Sequence, residues 1–289
     1  VYVADQNGSA VSGLTASNFS AKLYYGTGIS KVNADSLTGS VVVQSISATG
    51  KSIAAAMSMD YSGSMFSGSS TNNKYDRITN METGVKTFVN AMGATDIGEI
   101  IKFGSTVDFV FPFTSNKTRL LVAADSSSVS RGNTALYSSM YKGVQDAGAQ
   151  SSTTYSRAVV AFTDGGENNS YPLTRAQLLA LSRSYGIPIY TVGLLDAAYH
   201  TDPPRAGYGD ELDLVQIADS TGGFYYYAPS AAQLAQIYST ISGNLSNALV
   251  VTINWPTTGL PASGTVVRAI VSVNYNGLST QFVRQYNIP

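Results

Sequence analysis

The sequence predicts an α/β fold, a doubly wound and mostly parallel sheet inserted in a smaller all-β sandwich that the N- and C-terminal segments form together. Three observations carry this. Between residues 49 and 245, short apolar runs alternate with stretches of helical spacing, the pattern of a parallel sheet covered on both faces. Residues 1–48 and 246–289 read instead as short strands separated by turns. With 289 residues, 44% of them apolar and only 12% charged, the chain can bury a sizeable core and is too apolar to be disordered.

The elements follow in order. Val1-Tyr2-Val3 precedes Asn7-Gly8, a strong hairpin signal, and residues 21–25 and 41–43 are further strand segments. Residues 53–59 are apolar throughout except for Ser58, as in a strand buried on both faces. Residues 72–92 have helical spacing. Residues 97–103 and 107–111 are strands joined by the tight turn Gly104-Ser105-Thr106. Leu136, Met140 and Val144 share one helical face, and residues 157–162 form another buried strand. Thr174-Arg175-Ala176-Gln177 is a capping box that opens a helix, and Ser230-Ala231-Ala232-Gln233 is a second. Between them lie strands at 187–192 and 224–227. After the second box, Leu234, Ile237, Tyr238, Ile241 and Leu245 make an apolar stripe. In the C-terminal part, residues 249–255 are β-rich. Val267, Ala269, Val271, Val273 and Tyr275 share one face, and Asn276-Gly277 turns the chain into a last strand at 280–286.

Composition excludes several functions. The formal net charge is -1 and no basic run occurs, which gives no footing for nucleic acid or an anionic membrane surface. No apolar stretch approaches the ~20 residues of a membrane span, so no direct membrane insertion is expected. There is no Cys and one His, His200, which rules out thiolate sites and zinc sites built from several His. The chain opens on Val1 without a visible signal peptide and reads as a mature or trimmed chain. Gly50-Lys51-Ser52 is not a phosphate loop, because Ser45 stands where the first Gly belongs and a strand follows. Five Asn-x-Ser/Thr sites, at Asn7, Asn18, Asn116, Asn168 and Asn244, are within chance for so Ser-rich a chain, and most of the 19 Tyr suit sandwich strands.

Three loops carry chemistry. Asp60-Tyr61-Ser62-Gly63-Ser64 follows the first buried strand. Gly132-Asn133-Thr134 precedes a helix. Thr163-Asp164-Gly165-Gly166 follows a later buried strand. Ligands of open parallel sheets bind outside the carboxyl ends of the strands, where Asp60 and Asp164 both stand. Two carboxylates and three hydroxyls supply oxygen donors of the kind hard cations require. The competing reading is a capped turn in which Asp60 and Ser64 serve helix-start amides. Glu167 and Asn168 read as a solvated loop, or as groups that orient the metal ligands.

Asp60-x-Ser62-x-Ser64, Thr134 and Asp164 within Phe162-Thr163-Asp164-Gly165 resemble the metal-ion-dependent adhesion site of von Willebrand factor A domains, whose α/β fold is Rossmann-like. The likeness covers roughly residues 50–245 and includes Thr221-Gly222-Gly223-Phe224-Tyr225 before the final strand. It implies that Asp60, Ser62, Ser64, Thr134 and Asp164 hold Mg²⁺, with Mn²⁺ or Ca²⁺ able to substitute. It also implies that an Asp or Glu of a protein partner completes the coordination. The β-rich flanks look like those of bacterial surface and pilus-tip adhesins. An extracellular or cell-surface location follows, a periplasmic one being compatible, with other surface or pilus subunits as further partners. Movement of the last helix, 230–245, to tune affinity is likewise only what the resemblance implies. Loops 66–73 and 197–210 are expected on the metal face, either reading the partner or as tolerated insertions. His200, within the second, is expected as a surface residue and not a ligand. Two alternatives stand beside adhesion: a structural pilus or surface subunit whose metal site is not needed for binding, and a metal-dependent hydrolase. Against the hydrolase, no general base pairs with a nucleophile in the sequence, so no enzyme is expected.

Overall fold

The computed structural model describes residues 11, 13–25, 35–45, 50–66, 76–125, 131–195, 200–201, 211–228, 231–247 and 249–288. Along the chain, β1 (Phe19–Tyr25), β2 (Asp35–Ser45), β3 (Ser52–Asp60), α1 (Asp76–Ala91), β4 (Ile97–Phe103) and β5 (Val107–Thr114) come first. Then come α2 (Lys117–Asp125), α3 (Leu136–Ala149), β6 (Tyr155–Thr163), α4 (Arg175–Tyr185), β7 (Ile189–Gly193) and α5 (Glu211–Thr221). β8 (Tyr225–Tyr227), α6 (Ala231–Asn247), β9 (Leu249–Asn254), β10 (Val266–Tyr275) and β11 (Leu278–Asn287) complete it. Two compact units result, one of residues 1–49 with 248–289 and one of residues 50–247.

The terminal unit pairs its strands antiparallel in the order β11-β10-β1-β2-β9. Alternation puts Phe19, Ala21, Leu23, Val267, Ala269, Val271 and Val273 on one buried face. Asn276 (φ 49°) and Gly277 (φ 81°) form the turn between β10 and β11 that Asn-Gly signals. β2 changes partner at its middle: Asp35 to Gly39 pair with β1, and Ser40 to Ser45 pair with β9. Gly39 sits at that change, where a Cβ would lie 2.5 Å from Ile253 and 2.8 Å from the Trp255 ring. The all-β character of the ends therefore appears as one five-stranded order. Val41 and Val43 of β2 and Leu249, Val251 and Ile253 of β9 pack against the buried Phe19, Ala21, Val271 and Val273 in one core. The segment Val1–Val3 and the Asn7-Gly8 turn lie outside them.

The middle unit has a six-stranded sheet in the order β5-β4-β3-β6-β7-β8. All its pairings are parallel except β4 with β5. Helices cover both faces. Met81, Val85 and Phe88 of α1, Leu120 of α2 and Leu234, Ile241 and Leu245 of α6 pack on Ala55, Met57 and Met59 of β3. Leu136, Met140 and Val144 of α3, Leu178 of α4 and Leu214 and Ile217 of α5 pack with Ala56 on the opposite face. Near-continuous burial explains why β3, β6 and β7 read as apolar runs and not as alternating strands. The Thr174 box forms as expected, with Thr174 Oγ1 accepting from Gln177 N and Gln177 Oε1 accepting from Thr174 N. Ser230, the cap of the second box, lies outside the described residues. α2 and α5 were not anticipated. α2 has a local signal, Asn116, whose Oδ1 accepts from Arg119 N at 3.0 Å.

Two glycines set opposite expectations for stability. A Cβ on Gly223 would lie 2.0 Å from the backbone oxygen of Ile189, so Gly223→Ala forces the backbone apart and is expected to destabilise by about 1–3 kcal/mol or more. Gly243 in α6 has no atom within 4 Å of that position, so Gly243→Ala is expected to stabilise by about 0.5–1 kcal/mol. Urea unfolding followed by helical ellipticity checks both.

Candidate metal centre

β3 lies between β4 and β6: the chain leaves it toward β4 and later returns on its other side. This reversal opens a crevice at the carboxyl ends of β3 and β6, the usual ligand position in such sheets. Met59 is in register with Phe162, so Asp60 and Thr163 end their strands side by side. The first loop is anchored by Tyr61, whose N donates to Phe103 O at 2.7 Å and whose hydroxyl donates to Glu82 on α1 at 2.6 Å. It continues into a short 3-10 turn, Gly63–Phe66.

Hydrogen bonds tie the three loops into a triangle. Gly63 N donates to Gly132 O at 2.8 Å, joining the first loop to the second. Gly132 has φ 148°, and a Cβ there would lie 2.4 Å from Ser105 Oγ, so no larger residue fits. Ser105 Oγ in turn accepts from Asn133 N. The second loop joins the third through Thr134, whose N donates to Asn168 Oδ1 at 2.7 Å and whose O accepts from Asn168 N and Asn169 N. The first and third meet through side chains. Thr163 Oγ1 donates to Asp60 Oδ2 at 2.6 Å, and Ser64 Oγ donates to Asp164 Oδ1 at 2.7 Å. Ser62 Oγ lies 3.2 Å from Ser64 Oγ, and Ser62 N donates to Asp60 Oδ1 at 2.7 Å.

Of the five residues expected at the site, Asp60, Ser62, Ser64 and Asp164 thus form one connected network, and Thr134 is held at the same loop cluster by its backbone. All but Ser64 are buried, Asp60 completely and Asp164 to 8% exposure. Burial, with the nearby Asp164 charge adding to it, pushes the Asp60 carboxyl up to about 7 against the hydrogen bonds from Thr163 and Ser62. Asp164 is also raised by burial, with the Ser64 bond and the Arg77 guanidinium opposing. Arg77 NH1 pairs with Asp164 Oδ2 and donates to Ser64 O at 3.1 Å. The partners described for Asp60 are neutral donors. Two buried carboxylates surrounded by hydroxyls, with oxygen as the only donor atom, fit the chemistry of a hard divalent cation. Among the described residues no three His, Cys, Asp or Glu side chains come together as a metal-ligating group, so hydroxyls would have to supply the remaining oxygens here.

Arg77 carried no signal in the sequence, because nothing local marks a residue thirteen positions beyond Ser64 as its neighbour. Glu167 is not simply solvated. Its carboxylate accepts from Tyr137 N at 2.7 Å in the first turn of α3, from Asn169 N at 2.7 Å and from Ser170 Oγ at 2.6 Å. It is an N-terminal cap supplied from another loop, a favourable place for negative charge. His200 is also more than a surface residue. Its ring stacks on Tyr227 at 3.7 Å, and Nδ1 lies 2.6 Å from the buried Glu211, which accepts from Tyr225 as well. Apart from Phe66, His200 and Thr201, loops 66–73 and 197–210 lie outside the described residues.

A profile of the von Willebrand factor type A domain matches residues 58–240. No curated protein sequence matches the chain. Among solved structures, a von Willebrand factor type A protein from Catenulispora acidiphila is similar at a TM-score of 0.53 and 12% identity, over 97% of this chain and 75% of that one. The D319A mutant of the PilB minor pilin from Streptococcus sanguinis is similar at 0.52 and 12% identity, over 68% and 62%. The pilus adhesin SpaC from Lactobacillus rhamnosus GG is similar at 0.50 and 14% identity, over 85% and 36%. At these identities the likeness is one of fold.

The raised Asp60 pKa gives a signed expectation for the metal-free protein. The folded state holds a proton that the unfolded state has lost, so stability falls as pH rises from about 4 through about 7. Asp60→Asn removes this slope. Its amide can donate to Thr163 Oγ1, which can turn its own proton to Gly165 O, 2.8 Å away. In chelator the variant is expected to be more stable than the wild type at pH 7.5, by about 1 kcal/mol or more, with a smaller gain at pH 5. Thermal melts across pH check this.

Proposed function

The chain belongs to the von Willebrand factor type A domain family, and from this premise we propose that its middle unit is a metal-dependent protein-binding module of a surface or pilus protein. Asp60, Ser62, Ser64, Thr134 and Asp164 would hold the cation, Mg²⁺ first, with Mn²⁺ or Ca²⁺ as substitutes. When bound, the cation supplies an electrophilic position that a partner's Asp or Glu can fill. The hydroxyls of Ser62, Ser64 and Thr134 leave part of its charge unquenched, while Thr163 and Arg77 orient Asp60 and Asp164. The observation that carries this reading is the coupling of Asp60 and Asp164, two buried carboxylates from separate strands, through Thr163 and the Ser62–Ser64 pair. An extracellular or cell-surface location, with other surface or pilus subunits among the partners, is supported by the minor pilin and the pilus adhesin that share the fold. Binding is favoured over catalysis, because the site's groups are ligands and orienting donors without a nucleophile–base pair.

The test is calorimetric titration of the chelator-stripped chain with Mg²⁺ and Mn²⁺, each alone and with a saturating Glu-containing peptide. One saturable site is expected. It should disappear in Asp60→Ala and weaken at least about tenfold in Thr134→Ala. Failure to take up either metal, with or without the peptide, would overturn the proposal and leave a structural subunit as the better description.

A further inference from the structure

At the opposite, amino-terminal end of the same sheet, β4 carries a carboxyl group that the metal centre does not use. Odd-numbered residues of β4 face α3. Ile101 and Phe103 fill the apolar core there, and Glu99 occupies the next position down, 1% exposed. Burying a carboxyl in such a place costs free energy unless its oxygens are answered. Glu99 is in contact with Asp146 on the last turn of α3, but its Oε2 is buried without a hydrogen-bond partner. Burial and the Asp146 charge push the Glu99 carboxyl up to about 9.

Glu99 lines a cavity of about 370 Å³. Its polar side holds Glu99, Asp146 and Lys142, and its apolar side is formed by Val110, Pro112 and Phe113 of the edge strand β5. Lys142 Nζ lies 2.7 Å from Asp146, an (i, i+4) pair whose lysine side chain is 40% exposed. Pairs of this kind contribute only about 0.3–0.5 kcal/mol and are readily exchanged. A divalent metal is disfavoured, because two carboxyl groups fall short of six oxygens and an ammonium already sits on one of them. An ammonium or guanidinium replaces Lys142 like for like, and an attached aliphatic stem covers the apolar wall.

We propose that this cavity binds an organic cation on an aliphatic stem, its head bonded to Glu99 Oε2 and Asp146 and its stem lying on Val110, Pro112 and Phe113. This is the chemistry of a Lys or Arg side chain, and also of a free alkylamine. The site is independent of the metal reading, since it shares no residue with it.

The test titrates the whole chain with n-butylammonium chloride, followed by amide NMR, in chelator and again in Mg²⁺. Saturable 1:1 binding is expected in both, with shifts confined to β4, β5 and the end of α3. Glu99→Leu, which removes both oxygens, should weaken it at least tenfold. Lys142→Gln, which removes the competing ammonium, should tighten it several-fold, and this variant still decides the matter if Glu99→Leu fails to fold. A Gly-Lys-Gly peptide capped at both ends separates the sources: tighter binding than butylammonium assigns a polypeptide side chain, weaker binding a free amine. No saturation in the wild type and Lys142→Gln, affinity unchanged in Glu99→Leu, or equal binding of n-pentanol would overturn the proposal.

Discussion

Asp60 and Asp164 put two carboxyl groups out of water at the ends of neighbouring parallel strands, and much of the surrounding structure answers that cost. Burying an ionised carboxylate is unfavourable by several kcal/mol unless charge or donors compensate it. Here the compensation is divided. Asp164 has Arg77 and the Ser64 hydroxyl, whereas Asp60 relies on Thr163 and a backbone amide. The division follows from topology, since α1 begins after the first loop and brings Arg77 to the Asp164 side. The second loop is then fixed between them by bonds that leave Gly132 no room for a side chain. Carboxylates, hydroxyls and backbone thus form one connected hydrogen-bonded assembly.

Much of this was legible in the sequence. Continuous burial of β3 and β6 leaves an unmistakable apolar run, and each run leads into an Asp, Asp60 at the end of β3 and Asp164 just after Thr163, because the carboxyl ends of parallel strands are where ligands bind. Residues that act across long sequence separation were not legible. Arg77 and Glu167 work through elements packed against them and not through a local motif, and α5 follows a long loop whose polar composition hides its start. Apolar alternation and Asn276-Gly277 mark strands of the terminal unit in the sequence, yet nothing marks Gly39 as the place where β2 changes partner. The absent side chain there matters only once Ile253 and Trp255 are seen against it.

The same economy of charge runs through the rest of the middle unit. Asp96 serves two backbone amides, of Ile53 and Gly93, at the mouth of β3. Lys102, with its pKa lowered to about 8 by burial, donates to Ala124 O and lies over the Tyr61 ring. Glu211 collects Tyr225, His200 and the amide of Thr201. Each of these buried groups fastens one element to another. Glu99 differs from them in keeping one oxygen unanswered.

The chain contains a single tryptophan, and it lies beside Gly39 in the terminal unit. Indole emission therefore reports on that unit alone. Far-ultraviolet ellipticity is dominated by the middle unit, which holds every α-helix among the described residues. The two signals give one protein two separate optical gauges. Overlaid unfolding curves would reveal, without any labelling, whether the halves melt as one cooperative body or as two.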